Sequence, residues 1–270
     1  MVLIIGCGYV GEHIGLALKN QNVVVTAKTP SSVERLKAHF QNVEQLDTSD
    51  QHKLDQLIQK HDTIIITLAA PDAYSYEKTY LNTAKNIAST LERSPHVKQL
   101  IYTSSTSVYG EHHGNAVDED SPLLAHSHQG KILIETEKTY LSLSTPNRHV
   151  CIFRLGEIYG CGREIELKVK AYQHKKAPGD GLNTTNMTHV EDITQAALFA
   201  MENNLQGIFN LVDDDHMTRY DLYQKVCKLH GLQNVEWDPN LQTPHSSKKI
   251  VLNDKIKKKG YCFRFPKRMI

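Results

Sequence analysis

A glycine-rich turn near the start of the chain carries the clearest chemical signal. Gly6, Gly8 and Gly11 follow a short apolar run in G-x-G-x-x-G spacing, with Tyr9 and Val10 between the last two. At such a turn the second glycine lets the backbone approach a pyrophosphate, and the N–H groups of the following helix attract its negative charge. The turn therefore predicts dinucleotide binding by these five residues, rather than a turn that only reverses the chain.

The residues after the second predicted strand bear on which dinucleotide binds. The strand 23–26 is followed closely by Lys28 and Thr29, without the carboxylate that would hold the ribose 2′-OH of NAD. Lys28 offers a charge and Thr29 a hydroxyl, and a helix N-terminus follows, all of which suit a 2′-phosphate. We therefore expect NADP rather than NAD. The alternative is an ordinary polar helix cap beside a solvated lysine.

Alternating strands and helices must position this turn. Apolar, β-branched runs recur through the first half of the chain, and the run 63–67 is typical of a strand covered on both faces. Repeated strand–helix units require right-handed crossovers and hence a parallel sheet. We predict an α/β, doubly wound Rossmann-type fold. Residues 1–155 would form the NAD(P)-binding domain, and 156–270 would add the last strands of the sheet and a small C-terminal substrate lobe.

Three predicted element boundaries lie near candidate site residues. A helix begins at about Ser31, capped by Ser31 or Ser32. The fifth strand covers 97–102, so the serine-rich residues after it would form a loop. A further helix covers 131–141, with its middle packed on the sheet and its ends solvated.

Composition limits the class of protein. Hydrophobic residues make up 40% of the 270 and charged residues 23%, with a net charge of +1, so neither a nucleic-acid nor a membrane partner is indicated. The first residues lack the basic region and long apolar run of a signal peptide or spanning helix. The five cysteines are scattered without metal-ligand spacing. We expect a cytoplasmic protein with no metal site.

Two charged segments in the second half have ordinary interpretations. The acidic run 213–215 places consecutive carboxylates on a loop, where they point in different directions, so a solvated turn or a helix cap is favoured over a metal site. The segment 245–270 holds nine Lys or Arg residues and one acid. Its lysines precede Gly260, where cations complement a helix dipole, so a solvated helix end is favoured over nucleic-acid binding.

Several motifs resemble one protein family. Residues 103–110, with the sequence TSSTSVYG, resemble the serine-rich "SSxxVYG" segment of the extended short-chain dehydrogenase/reductases, the NAD(P)-dependent epimerases and dehydratases of sugar nucleotides. Residues 153–160 and 188–192 resemble the "R…YGPG" and "HVDD" segments of the same family. The likeness covers almost the whole chain and is strongest to the shorter, atypical bacterial subgroup. It implies a Rossmann fold, an NAD(P) cofactor and a small-molecule substrate.

The resemblance also implies further cofactor contacts. Asp47 stands where the family keeps an aspartate near the adenine. Leu68, Ala69 and Ala70 match the family's loop beside the cofactor.

The family's catalytic residues are matched only in part. In the family a serine or threonine orients the substrate, a tyrosine exchanges its proton, and a lysine four residues later lowers the pKa of the tyrosine and holds the nicotinamide ribose. Ser105 and Lys131 match two of these roles, but Ser127 stands in the position of the tyrosine. A serine hydroxyl is a much weaker acid than a phenol, so the usual proton-transfer route is missing.

Three interpretations of Ser127 remain open. His126 or His128 could donate the proton instead, because an imidazole exchanges protons near neutral pH. Tyr109, in the serine-rich segment, could turn inward. In both cases we expect an oxidoreductase or epimerase acting on a sugar nucleotide or another small carbonyl or hydroxyl compound. The third interpretation is a catalytically weak or inactive NADP(H)-binding sensor or regulatory protein.

Two further expectations concern the substrate and the assembly. Glu157 stands where the family has a substrate-binding asparagine, and its negative charge would repel a sugar diphosphate. Arg163 remains as a candidate contact for an anionic group of the substrate. The helices around Tyr80 and Lys131 could pair with those of a second copy, as in the family's four-helix dimer interface.

Overall fold

The computed structural model describes residues 1–241 and 247–270. In chain order its strands are β1 (Val2–Ile5), β2 (Val23–Ala27), β3 (Val43–Gln45), β4 (Thr63–Ile66), β5 (Gln99–Ser105), β6 (Ala116–Val117), β7 (His149–Leu155), β8 (Glu157–Tyr159), β9 (Ala177–Pro178), β10 (Met187–His189), β11 (Gly207–Leu211), β12 (Trp237–Asp238) and β13 (Ile250–Val251). The α-helices are α1 (Tyr9–Ala17), α2 (Pro30–Lys37), α3 (Gln51–Ile58), α4 (Thr83–Glu92), α5 (His128–Leu141), α6 (Ile165–Lys170), α7 (Val190–Glu202), α8 (Arg219–His230) and α9 (Asp254–Lys258). A π-helical turn, Glu77–Asn82, leads into α4.

A seven-stranded parallel sheet forms the centre of the fold, in the strand order β11-β7-β5-β4-β1-β2-β3. β1 pairs with β2 on one side and with β4 on the other. All four residues of β1 are buried, as its apolar sequence predicts. Helices flank the sheet, so the Rossmann-type α/β fold predicted from the sequence is confirmed.

The chain divides into two compact units, each built from separate stretches of sequence. The first comprises residues 1–105, 126–154 and 193–209, and the second comprises 106–125, 155–192 and 210–270. The first unit contains the glycine turn and β1 to β5. The second contains three small parallel sheets of two strands each, β8 with β10, β9 with β12 and β6 with β13.

The start of α2 differs from the prediction. The helix begins at Pro30 and is capped by Thr29, whose hydroxyl accepts a hydrogen bond from the Ser32 N–H at 3.3 Å. Proline suits the first helical position because its fixed φ is already helical and it lacks an N–H to satisfy. The cap is therefore Thr29 rather than Ser31 or Ser32.

The fifth strand and the helix after it also extend further than predicted. β5 continues to Ser105. Within it, the Ser104 hydroxyl donates to the buried Glu137 carboxylate of α5, which satisfies this polar group inside the fold. α5 begins at His128 rather than at Lys131, because the Ser127 hydroxyl caps its first turn.

The acidic run is only in part the solvated turn that we predicted. Asp213 is only 2% exposed. Its carboxylate accepts hydrogen bonds from the Arg268 guanidinium, with a shortest distance of 2.8 Å. Asp214 pairs with Lys257 of α9 at 2.5 Å. The prediction of a solvated turn is therefore wrong for Asp213, which the C-terminal segment buries, whereas Asp214 is exposed as predicted.

No helix within residues 1–241 and 247–270 is long and apolar enough to cross a membrane.

Candidate functional site

The glycine turn lies where the strand order of the sheet reverses. β1 stands between β2 and β4, so the strands that follow it are added on both sides of it. In doubly wound folds, ligands bind at such a point, outside the carboxyl ends of the strands. Gly6 has a φ of +86°. A Cβ there would lie 2.6 Å from Leu68, and the Thr67 hydroxyl donates to the Gly6 carbonyl at 2.8 Å. Glycine is therefore required here by both conformation and space.

The three glycines that follow Gly6, at positions 8, 11 and 15, have different surroundings. A Cβ on Gly11 would lie 2.5 Å from the Thr67 hydroxyl oxygen, and one on Gly15 would lie 2.8 Å from the Phe40 ring. These two let α1 pack closely on the sheet, as predicted. A Cβ on Gly8 would meet no atom of the described residues within 4 Å. The backbone of Gly8 therefore faces open space.

The start of α1 suits an anion. Gly8 is the N-cap residue, and it has no side chain with which to cap the first turn. The N–H groups of a helix start carry a partial positive charge and bind phosphate. The open space beside Gly8 and the uncapped helix start together fit the pyrophosphate of a dinucleotide.

Tyr9 and Val10 are the first two residues of α1 and are partly buried. The Tyr9 ring meets the His13 ring edge-on, with 4.8 Å between centroids. His13 Nδ1 lies 2.8 Å from the Tyr9 carbonyl oxygen. The first turn of the helix is thus held by its own side chains, next to the predicted phosphate position.

The loop after β4 lies at the same edge of the sheet. Leu68 and Ala70 are partly buried and Ala69 is exposed. The Ala70 N–H donates to the Tyr80 hydroxyl at 3.2 Å, which ties the loop to the helical segment before α4. Because β1 and β4 are parallel neighbours, their carboxyl ends bring this loop beside the glycine turn. The structure therefore brings these predicted cofactor residues together.

Lys28 and Asp47, from the ends of β2 and β3, form an ion pair at 3.1 Å. The Ser49 backbone N–H donates to the Asp47 carboxylate at 3.0 Å. This hydrogen bond, with those from the side chains of Ser49 and Lys28, lowers the pKa of Asp47 to about 2. The pair offers a cation to a phosphate and an acceptor to a ribose hydroxyl. The hydroxyl of Thr29 is already used as the cap of α2.

Ser105, Ser127 and Lys131 have separate structural positions. Ser105 is the last residue of β5 and is partly buried. The Ser127 hydroxyl accepts a hydrogen bond from the Gly130 N–H at 3.1 Å and so serves as the N-cap of α5. Lys131 is exposed and lies one turn after Ser127 on the same helix face. Ser127 therefore has a structural role that its sequence position did not reveal.

A buried ionic network lies beside these residues and was missed from the sequence. Glu137 accepts hydrogen bonds from the Ser104 hydroxyl at 2.6 Å and from Arg154 Nη2 at 2.7 Å. The side chains of Glu137 and Arg154 are each 2% exposed. A signal was present, because helical spacing places Glu137 on the same face as the buried Leu133 and Tyr140. The network ties α5 to β5 and β7.

The alternative proton donors differ in accessibility. His126 and His128 are both exposed. Tyr109 is fully buried, and its hydroxyl donates to the Asn210 side-chain oxygen at 2.7 Å. That hydrogen bond uses the phenolic proton, so Tyr109 is the least suited of the three to donate it.

Two predicted residues of the substrate side lie in the second compact unit. Glu157 is on β8, in contact with Lys168 of α6 and 3.9 Å from Arg219 of α8. Arg163 exchanges backbone hydrogen bonds with Gly160 in a tight loop. Lys168 and Arg219 were not identified from the sequence, since nothing in their local pattern links them to Glu157.

Together, the doubly wound sheet and the glycine turn at its point of reversal define a dinucleotide-binding α/β protein. Residues 2–211 match the model of the NAD dependent epimerase/dehydratase family, and the chain belongs to that family. The resemblance seen in the serine-rich segment is thereby confirmed.

Individual relatives support the same placement. The chain is 27% identical to Protein YeeZ of Escherichia coli strain K12, over 100% of this chain and 97% of that protein. It is 26% identical to N-acetyl-alpha-D-glucosaminyl-diphospho-ditrans,octacis-undecaprenol 4-epimerase of Escherichia coli O157:H7, over 97% of this chain and 78% of that protein. A functionally unknown conserved protein from Silicibacter pomeroyi DSS has a solved structure that matches with a TM-score of 0.81 and 26% identity. The match covers 98% of this chain and 94% of that chain.

Proposed function

We propose that the chain binds NADP(H) at the glycine turn and acts as an oxidoreductase or epimerase on a small substrate that carries a hydroxyl or carbonyl group. The open space at Gly8, beside the uncapped start of α1, is the observation that carries this proposal. Membership of the NAD dependent epimerase/dehydratase family supports it. When bound, the nicotinamide would supply hydride transfer to or from a substrate carbon.

The choice of NADP over NAD rests on Lys28. Its side chain is 61% exposed and lies at the end of β2, where a 2′-phosphate could meet its ammonium group. Asp47 partly neutralises this charge and offers an acceptor to a ribose hydroxyl. The family's description names NAD, so comparing the two cofactors in wild type and in a Lys28 variant is the direct test.

The chain's own residues would divide the remaining work. The Ser105 hydroxyl would orient the substrate oxygen by a hydrogen bond, and Lys131 would hold the nicotinamide ribose. A proton donor is still needed, because the Ser127 hydroxyl is a weak acid and caps α5. We propose His128, or failing that His126, since both are exposed at the start of α5.

The second candidate function is an NADP(H) sensor without turnover. Two observations favour it: Ser127 is used as a helix cap, and the Tyr109 phenol is hydrogen-bonded to Asn210. In this case the chain would keep the cofactor site but lack a proton-transfer residue.

A tyrosine restored at position 127 distinguishes these functions. NADPH absorbance is followed with a panel of sugar nucleotides and small carbonyl compounds, in wild type, Ser127→Tyr, His126→Ala and His128→Ala. Ser127→Ala is the matched control, because it loses the cap, at a cost of about 1 kcal/mol, without adding a phenol. Losing a general acid should slow turnover by about 10²–10⁴-fold with cofactor affinity unchanged.

The enzyme proposal expects turnover in wild type and its loss in one histidine variant. If wild type is inactive and Ser127→Tyr gains activity, the sensor is the correct function. If wild type is active and both histidine variants keep the full rate, the proposed donor is wrong.

A homodimer through the helices around Tyr80 and Lys131 stays a prediction. Light scattering of the purified chain tests it.

A further inference from the structure

Arg219 is a buried cation without a close carboxylate partner. Its side chain is 8% exposed, and within residues 1–241 and 247–270 its nearest acid is Glu157, at 3.9 Å, which is beyond hydrogen-bond distance. The guanidinium lies over the Tyr223 ring, 5.7 Å from the centroid. Burial is the main cause that raises the pKa of the Tyr223 hydroxyl, and the charge of Arg219 opposes that rise. Because the nearest carboxylate is beyond hydrogen-bond distance, the charge of this buried guanidinium is not closely neutralised, and the arrangement suits an anion supplied from outside.

A second cation lies at the same place. The Lys168 ammonium contacts the Glu157 carboxylate, and both side chains are about one-third exposed, at 32% and 38%. Burial, and then the charge of Arg219, lower the pKa of Lys168 to about 7. Lys168 and Arg219 therefore share the single Glu157 carboxylate, which cannot neutralise both cations.

Three elements of the second compact unit hold this cluster. Glu157 is the first residue of β8. Its strand is fixed by pairing with β10, where Glu157 lies opposite Met187. Lys168 is on α6 and Arg219 is the first residue of α8, so secondary structure rather than a loop positions each charge.

We infer that Glu157, Lys168 and Arg219 bind one singly charged group of the substrate, a carboxylate, and that Glu157 selects against diphosphates. The inference rests on the proposed function, whose substrate it narrows to a small acid. Arginine binds a carboxylate through two parallel hydrogen bonds. When Lys168 is protonated, the three side chains together carry one positive charge, which a carboxylate neutralises. A diphosphate would leave excess negative charge beside the Glu157 carboxylate in a half-buried position, which is unfavourable.

The only tryptophan of the chain, Trp237, allows a direct test. Its ring lies 5.5 Å from the Tyr223 ring, which in turn lies against Arg219. D-Glucuronate and inorganic pyrophosphate are titrated separately into the full chain. Binding is followed by Trp237 fluorescence and, in parallel, by calorimetry.

Removing the charge of Glu157 should change the preference between the two anions. We expect wild type to bind glucuronate in preference to pyrophosphate. Glu157→Gln should strengthen pyrophosphate binding by about tenfold or more, because one repulsive charge at close range is removed, and should change glucuronate binding by less than about threefold. The matched control is Glu166→Gln on α6, whose carboxylate pairs with Lys170 instead and should leave both affinities unchanged.

A variant of the arginine completes the test. Arg219→Lys keeps the charge but loses the planar fork, and should weaken glucuronate binding by about tenfold. Equal preferences in wild type and Glu157→Gln, or no binding of either anion to wild type by both methods, would overturn the inference. Calorimetry with NADPH and NADH is a separate measurement on the same proteins. A failure to bind any dinucleotide would refute the proposed function, but the titrations with glucuronate and pyrophosphate could still be interpreted.

Discussion

Gly8 and Gly11 are only three residues apart, yet a side chain would meet quite different surroundings at each. At Gly11 an added Cβ would press on the Thr67 hydroxyl, so this glycine is needed by the fold itself. At Gly8 the same atom would enter open space, and φ is −88°, which any residue can adopt. A glycine that neither packing nor conformation requires is explained by a ligand that approaches the backbone closely.

Gly8→Val should therefore lose dinucleotide binding while the free energy of unfolding changes by less than about 1 kcal/mol. Gly11→Val is the contrasting variant, and it should lose stability as well as binding because of its clash with Thr67. Calorimetry with NADPH and NADH, together with denaturant unfolding, measures both quantities. A folded Gly8→Val protein that still binds either cofactor would refute the site.

Lys28 decides the predicted preference between cofactors. Losing one charged phosphate contact costs about 1.5–3 kcal/mol, so Lys28→Ala should weaken NADPH binding by about tenfold or more and barely affect NADH. Lys37→Ala, which removes an exposed lysine from α2, should change neither affinity. Calorimetry of both cofactors with the three proteins is the measurement. Equal effects of Lys28→Ala on the two cofactors would contradict NADP specificity.

At the scale of elements, α5 is held to the sheet by more than apolar packing. Its buried face includes Glu137, whose carboxylate meets Arg154 of β7 and Ser104 of β5. Removing one partner of a buried ion pair leaves the other charge uncompensated in a low-dielectric surrounding. The network therefore positions the helix that carries Lys131 and is capped by Ser127.

Glu137→Gln should lower the free energy of unfolding by about 3–5 kcal/mol, because it leaves the Arg154 guanidinium without its counter-ion. Glu135→Gln on the same helix is the control, since its pair with Lys138 is exposed, at 55% and 66%, and should change stability by less than about 0.5 kcal/mol. Urea unfolding compares the two. Similar stability of both variants would show that the network contributes little.

Across the whole molecule, the basic C-terminal segment pairs with acidic residues from earlier in the chain. Lys257 meets Asp214, Arg264 meets Glu191 and Arg268 meets Asp213. As we predicted, a helix, α9, ends just before Gly260, which has a φ of +96°. Several basic side chains of the segment, however, are paired with acids rather than only solvated. The imbalance of charge along the sequence is thus reduced by contacts between distant segments.

Arg268→Met should destabilise the chain by about 3–5 kcal/mol, because it leaves the Asp213 carboxylate buried without its cation. The side chains of Asp213 and Arg268 are 1% and 0% exposed. Arg264→Met removes an exposed cation of the same segment and should cost less than about 1 kcal/mol. The double variant Arg268→Met, Asp213→Asn should recover part of the loss, since the charge that needed a partner is then absent. Urea unfolding measures all three. Equal costs for the two arginine variants would contradict the stabilising role of the buried pair.

The sequence by itself determined the parts of the fold that depend on near neighbours. An apolar β-branched run followed by spaced glycines can form only a buried strand and a tight turn into a helix, because strand burial and backbone conformation are fixed within about ten residues. The order of such units then implies a parallel sheet, and hence the edge at which Gly8, Lys28 and Leu68 meet. The placement of the glycine turn at this edge was accordingly predictable from residue types and their spacing, whereas cofactor binding there stays a prediction.

Only the tertiary structure decided which polar side chains are paired and which remain available. The contacts of Ser104 with Glu137, of Asp213 with Arg268 and of Glu157 with Arg219 join residues that are 33, 55 and 62 positions apart, so no local pattern specifies them. Whether a carboxylate is solvated, held by a buried cation or ready for a ligand depends on the charge brought next to it and on the water excluded around it. Both are properties of the packed chain, because burial strengthens a charge interaction only when distant segments close over it.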